Sequence, residues 1–426
     1  MIRYKRKVLE TVVASKVRQV SLTNKQESGH IRQDFVTHTY KQNHNTKMSL
    51  PTHMRALYLP TISPDPQITL RTVPVPTVVP GSVLIRVLAA QVSQKVYDIY
   101  SGKVGFTLAP DMILGGGYAI GRVVQPGPDT TSLPVGKLVM IQSFLRARDN
   151  PEEIQAVWGT FDGGVPASRE WIEKNWKNGS YAEYILAPLE NVEPLDEERL
   201  CKPKGDGGLG YSVENLLQLP VQLVVLGGWK GIGLRAGERV IVAPATGQFG
   251  GAAVEVAVAM GAGQVIVMGR NMEILKRIQG LYPRGKIQIV PMSGDEDGDV
   301  QKLTSWGPVD AYLDISPAAA TGSTHVGSCF KALRNYGRAS LMGVLPESLS
   351  VTYAMIVWKS LTIKGQYMYD RADAQQIVRM AESGVLRLGP ETGVEVVGRF
   401  KLDEIDEAWA VASKNTQFGK LIALTP

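Results

Sequence analysis

Residues 238–271 read ERVIVAPATGQFGGAAVEVAVAMGAGQVIVMGRN. The apolar run Val240-Ile241-Val242 enters Ala245-Thr246-Gly247-Gln248-Phe249-Gly250-Gly251. An Ala- and Val-rich stretch of helical length stops at Gly261, and a second apolar run, 265–268, ends at Gly269-Arg270-Asn271. Strand, glycine turn, helix and strand at this spacing make a βαβ unit of dinucleotide-binding length. The glycines permit a tight turn and let backbone approach a pyrophosphate, which the helix N-terminus faces with unpaired N–H groups and its positive dipole end. Ala245 replaces the first glycine of G-x-G-x-x-G, so the flanking strand and helix carry the assignment. Thr246, Gly247, Gln248, Phe249 and Gly250 are the expected contacts.

The end of the second strand selects the cofactor. A carboxylate there would hold a ribose 2′-hydroxyl. This chain has Gly269, 22 residues after Gly247, followed by Arg270 and Asn271. The glycine leaves room, and a guanidinium offers a bidentate fork to a 2′-phosphate. The reading is NADPH, with a solvated loop charge as the alternative role for Arg270.

At 426 residues the chain calls for two domains. No apolar run reaches the roughly 18 residues that span a bilayer. Two cysteines, Cys201 and Cys329, give no disulfide framework and point to a reducing, cytoplasmic setting. The basic balance is local. Residues 1–47 hold 10 Lys/Arg against 3 Asp/Glu, leaving 36 against 37 in the remainder. A nearly neutral body has no field for nucleic acid or a membrane surface. Residues 1–50 read as a disordered or targeting extension. A stripe of Leu9, Val13, Val17 and Val20 among Lys and Arg gives it some transit-peptide character, so a mitochondrial address is the alternative. A functional start at Met48 or Met54 is the other reading.

The rest of the chain supplies landmarks in order. Residues 54–59 and 81–90 (GSVLIRVLAA) read as strands, and 91–102 as a loop entering a short helix. Leu114-Gly115-Gly116-Gly117 precedes a strand at 119–124, and Gly136-Lys137 another. Gly179-Ser180-Tyr181-Ala182-Glu183-Tyr184, the nucleotide unit and the closing Gly419-Lys420-Leu421-Ile422 complete the series. This order resembles the medium-chain dehydrogenase/reductase superfamily, over about residues 54–426. The resemblance implies an α/β protein: a GroES-like, β-rich catalytic domain at 51–210, a Rossmann doubly wound parallel sheet at 211–366, and a C-terminal segment, 367–426, completing the catalytic domain. It implies homodimers or homotetramers pairing through the last Rossmann strand, 361–365. Third, fourth and fifth Rossmann strands fall at 287–290, 309–314 and 337–344. Residues following the last two lie near the nicotinamide in relatives, which makes Ser316, Gly343 and Val344 cofactor candidates. Lys420 matches a basic position that approaches cofactor phosphates, and Tyr367 and Tyr369 are placed to reach the cleft.

Zinc-dependent relatives carry Cys after the second of these strands and His-Glu in the glycine turn. Counted from Gly102, Ser93 holds the cysteine position, and Gly116 and Gly117 those of His and Glu. Past Met54 the only histidine is His325 and the only cysteines are Cys201 and Cys329, a poor inventory for Zn²⁺. The reading is a zinc-free enzyme resembling the quinone oxidoreductases and enoyl reductases, moving hydride from NADPH to an activated C=C of a small organic substrate. Carbonyl, alcohol or imine reduction and non-catalytic NADPH binding are the alternatives. Without a metal, protein donors must stabilise the oxyanion, and Ser93, Lys95 and Tyr97 are the candidates. Where relatives carry a zinc lobe, residues 143–178 hold Trp158, Trp171 and Trp176 with helical runs expected at 151–158 and 167–176. This patch reads as a lid, an oligomer contact or a small core of its own. The glycine-rich stretch 205–210 follows no strand and reads as a loop.

Overall fold

The computed structural model describes residues 50–349 and 351–426; the basic extension lies outside them. The β-rich half buries both faces of its strands, as in β1 (His53–Leu59), where Met54 and Ala56 enter one apolar cluster and Leu57 and Leu59 another. It continues through β2 (Thr69–Pro74), β3 (Ser82–Val92), α1 (Gln94–Tyr100), β4 (Met112–Ile113), β5 (Ala119–Pro126), β6 (Leu138–Ile141), β7 (Phe144–Arg146) and β8 (Gln155–Val157). Then come α2 (Pro166–Asn175), β9 (Tyr184–Pro188), β10 (Val192–Pro194), α3 (Glu197–Cys201) and the apolar helix α4 (Gln218–Gly231).

The parallel half follows: β11 (Arg239–Ala243), α5 (Gln248–Ala259), β12 (Gln264–Gly269), α6 (Met272–Gly280), β13 (Ile287–Pro291) and α7 (Glu296–Thr304). It ends with β14 (Val309–Asp314), α8 (His325–Ala332), β15 (Leu333–Leu341), α9 (Tyr353–Lys359) and β16 (Thr362–Gly365). Its six parallel strands lie in the order β13-β12-β11-β14-β15-β16. Counted from β11 this is 3-2-1-4-5-6, the doubly wound order that opens a crevice where the chain reverses, between β11 and β14. The central strands are apolar throughout because helices cover both faces.

After α10 (Arg371–Glu382) the chain returns. Strand β17 (Glu395–Phe400), helix α11 (Ile405–Lys414) and strand β18 (Lys420–Leu424) follow, and β18 pairs antiparallel with β3, joining the sheet β10-β6-β5-β3-β18-β17. One apolar cluster runs from α4 and α5 through the parallel sheet to Ala89, Ile120 and Leu421 of the antiparallel one. The two sheets therefore share a core.

Three details differ from expectation. Residues 151–158 are a turn leading into β8, not a helix: Leu145 and Ala156 pair across β7 and β8 and both point inward. The fifth parallel strand begins at Leu333, because Tyr336 adopts φ +61° beside an irregular register. A bulge built on a tyrosine carries no glycine signal. The tryptophans pack as core, but into the antiparallel core and not one of their own. Trp158 is buried in the antiparallel core with Leu145, Ile172 and Tyr181, stacks edge-on with Trp176 at 6.5 Å, and donates from Nε1 to Asn178 O. Residues 205–210 form a loop with Gly207 and Gly210 at positive φ, as read. Among the described residues, no helix is long and apolar enough to cross a membrane.

Candidate active site

The turn before α5 divides its glycines by task. A Cβ on Gly250 would lie 2.2 Å from Pro244 O, and one on Gly251 would lie 1.9 Å from the Phe418 ring. These two seal the helix against β11 and the C-terminal segment. A Cβ on Gly247 would meet nothing within 4 Å. Gly247 is the helix N-cap and has no side chain to offer, so the first-turn N–H groups of Gln248 and Phe249 have no side-chain cap. Thr246 is fixed through its carbonyl, which accepts from Phe418 N at 3.0 Å. An uncapped N-terminus at the switch point fits a pyrophosphate.

At the end of β12, a Cβ on Gly269 would stand 2.7 Å from Thr246 Cγ2, so glycine keeps the two turns in contact. Arg270 is exposed beside it. Asn271 acts first as the cap of α6, its Oδ1 accepting from Glu273 N and Ile274 N. Lys420 pairs with Glu395 at 3.1 Å and borders a small cavity with Gln248 and Gly251, which brings it to the first turn of α5. That pairing holds the Glu395 carboxyl below its usual pKa.

The residues after β14 and β15 interlock. Ser316 Oγ donates to Asp314 Oδ1 at 2.5 Å and lies 2.8 Å from His325 Nε2, while His325 Nδ1 lies 2.8 Å from Ser323 Oγ. All of Asp314, Ser316 and His325 are buried. The Ser316 hydroxyl is thus turned into the fold. Its carbonyl accepts from Val344 N, and a Cβ on Gly343 would lie 2.6 Å from Asp314 Oδ2. His325 is a satisfied internal residue, and the network fixes the two loops over which Val344 is exposed.

Across the cleft, Ser93 caps α1 without a side-chain bond and is half-buried. Lys95 reaches the parallel half: its Nζ stands 5.6 Å from the Phe249 ring centroid. The side chain is solvent-exposed, yet enough protein surrounds the ammonium for desolvation to hold its pKa below the usual lysine value. A group on a concave wall meets both conditions. Tyr97 goes elsewhere, its ring packing on Trp409 of α11 at 5.1 Å. The structure brings Lys95 to the nucleotide turn and leaves Tyr97 in the antiparallel core.

A second group was only partly legible in the sequence. Tyr367 and Tyr369 both pack edge-on against Phe144, at 5.3 and 5.9 Å, because the intervening Met368 takes φ +58°. The Tyr369 hydroxyl accepts from Phe144 N at 3.2 Å. Tyr118, next after the glycine turn, is tied to β3 by its carbonyl, which accepts from Gln91 N. Burial raises the pKa of all three phenols, that of Tyr367 to about 12, so they remain protonated donors. Ser143 lies beside Tyr118 and Tyr369, yet its buried Oγ has no aligned partner among the described residues. A tyrosine after three glycines and a serine between strands have no motif to announce them.

Zinc does not fit the positions that the resemblance assigns to it. A Cβ on Gly116 would lie 1.9 Å from Trp158 O, and one on Gly117 would lie 1.9 Å from Gln142 O. Backbone fills the space that ligand side chains would need. Among the described residues, no group of three or more His, Cys, Asp or Glu is placed to hold a metal ion.

Two family models match the chain: the alcohol dehydrogenase GroES-like domain over residues 79–197 and the zinc-binding dehydrogenase over residues 249–383. L-threonine 3-dehydrogenase of Ruegeria pomeroyi is 26% identical over 363 residues, spanning 84% of this chain and 96% of that protein. L-threonine 3-dehydrogenase of Pyrococcus furiosus is 25% identical over 359 residues, spanning 79% and 90%. Among solved structures, the alcohol dehydrogenase TADH from Thermus sp. ATN1 superposes with a TM-score of 0.68 at 22% identity, covering 87% of this chain and all of that one. A putative zinc-binding dehydrogenase from Sinorhizobium meliloti bound to NADP gives 0.68 at 18% identity, with 88% and 100% covered. An uncapped helix at the switch point of a 3-2-1-4-5-6 sheet, facing a β-rich domain completed by the C-terminus, defines a two-domain nucleotide-dependent oxidoreductase. The chain belongs to the medium-chain dehydrogenase/reductase superfamily, on its alcohol dehydrogenase-like side.

Proposed function

We propose that this chain is a zinc-independent, NADPH-dependent reductase of an activated C=C bond in a small organic substrate. The observation that carries the reading is the pairing of a closed glycine turn at 115–117 with Lys95 set across the cleft from Phe249. When bound, the dinucleotide supplies the hydride. The open face at Gly247 and the first-turn N–H groups of α5 hold its pyrophosphate, and Arg270 meets the 2′-phosphate. Lys95 donates to the oxygen on which negative charge develops, and its lowered pKa suits it to give up a proton. Ser93, at the start of the same helix, is the second donor toward the acceptor. Carbonyl reduction is the second reading, favoured by the threonine dehydrogenases among the relatives. NADPH oxidation with matched enones, quinones and ketones separates the two; turnover of ketones alone rejects the first, and turnover of none rejects both.

We further propose a homodimer that pairs through β16. This strand is the sheet's edge, and Tyr353, Val357 and Trp358 of the neighbouring α9 are exposed. Light scattering of wild type and Trp358→Glu tests it; a wild-type monomer rejects it.

A further inference from the structure

A cavity of ≈ 400 Å³ lies away from the nucleotide turn, between the loop 129–133, the strand β10 and the helix α10. That volume is in the range of small-molecule sites. One wall is helical: Arg371, Gln375 and Arg379 recur at intervals of four and lie on one face of α10. Among the described residues, neither Arg371 nor Arg379 has an ion-pair partner, while the adjacent Arg146 is paired with Asp370 at 3.1 Å. Thr130, Thr131 and Ser132 also line the cavity. Thr130 Oγ1 is buried without a hydrogen-bond partner. The floor is Glu193, 6% exposed, its Oε1 accepting from Gln142 Nε2 at 3.0 Å.

Eight residues separate the two arginines, roughly 12 Å along a helix axis at 1.5 Å per residue. Their side chains can lean together, but a single carboxylate would not engage both forks. Two acid groups on one small molecule would, with the hydroxyls of the loop completing the shell. We infer that this cavity is a second ligand site, which takes a small dicarboxylate between Arg371 and Arg379 and against Thr130. Its carboxyl neighbours set a proton linkage. Burial outweighs the opposing pull of Arg371, the Gln142 hydrogen bond and Arg379, and leaves Glu193 raised to about 7. Asp129, held by Gly81 N at 2.8 Å, and Glu382, accepting from Asp196 N, are the other acids facing the space. Protonating Glu193 removes a negative charge beneath the ligand, so binding strengthens as pH falls through 7.

Isothermal titration of the full chain with glutarate, acetate and inorganic phosphate tests this without reference to catalysis. Glutarate binds, acetate binds at least tenfold more weakly, and Arg371→Gln with Arg379→Gln removes glutarate binding while NADPH affinity stays within twofold. Glutarate binding weakens several-fold from pH 6 to pH 8, and Glu193→Gln flattens that slope. Phosphate binding as tightly as glutarate, glutarate affinity unchanged in the double variant, or no binding at all would each overturn the inference.

Discussion

Two glycine turns, one in each half of the molecule, use the missing Cβ in opposite ways. At 115–117 the backbone of Trp158 and Gln142 closes on the glycines and no side chain fits. At 247–251 the outer glycine opens onto space, while Gly250 and Gly251 seal the helix behind it. One turn is shut and the other is built to be approached. The same residue type therefore signals a ligand site only where the structure leaves the vacancy unfilled, and a sequence does not distinguish the two.

The comparison breaks most visibly if side chains are forced into the closed turn. Gly116→His with Gly117→Glu places atoms on carbonyl oxygens and is expected to cost more than about 4 kcal/mol, an exceptional loss. Denaturant unfolding measures it, and the variant gains no bound zinc by metal analysis. Lys95→Met comes next, lowering kcat roughly 10²-fold or more while NADPH affinity holds, as for loss of an oxyanion donor. The pH profile carries the sign. The lysine pKa lies below the usual 10.5, so proton donation is complete at low pH and falls as pH rises through that lowered value. A limb unchanged in Lys95→Met assigns the proton elsewhere.

Arg270→Ala is expected to weaken NADPH by about 10- to 100-fold, the range of a lost charged hydrogen bond, and to leave NADH unchanged. Fluorescence titration of both cofactors reads it, and equal loss for both contradicts the NADPH assignment. Gly247→Ala is the mildest. Its φ of −88° suits alanine, so stability moves by less than about 1 kcal/mol while NADPH binding drops about tenfold. Gly250→Ala, by contrast, should lose stability and binding together.

The sequence carried the architecture well where the physics is local. The βαβ unit is read from residue spacing alone, because strand, turn and helix within about 30 residues leave few other solutions. Strand β14 falls at the positions read, and its neighbours within a few residues. What it did not carry are contacts between distant segments. Ser316 follows the fourth strand as expected, yet its hydroxyl is captured by Asp314 and His325. Tyr97 sits two residues from Lys95 but, on a helix, faces away from it toward Trp409. Trp158 gave no sign of closing over Gly116, since that contact joins segments some forty residues apart.

Hydride transfer without a metal is tested by turnover and zinc content measured together. Purified chain is assayed for NADPH-dependent turnover and for zinc content, before and after treatment with a strong chelator. The expected result is well under one zinc per chain and an unchanged kcat. One tightly held zinc per chain, with turnover lost on its removal and restored by its return, would contradict it.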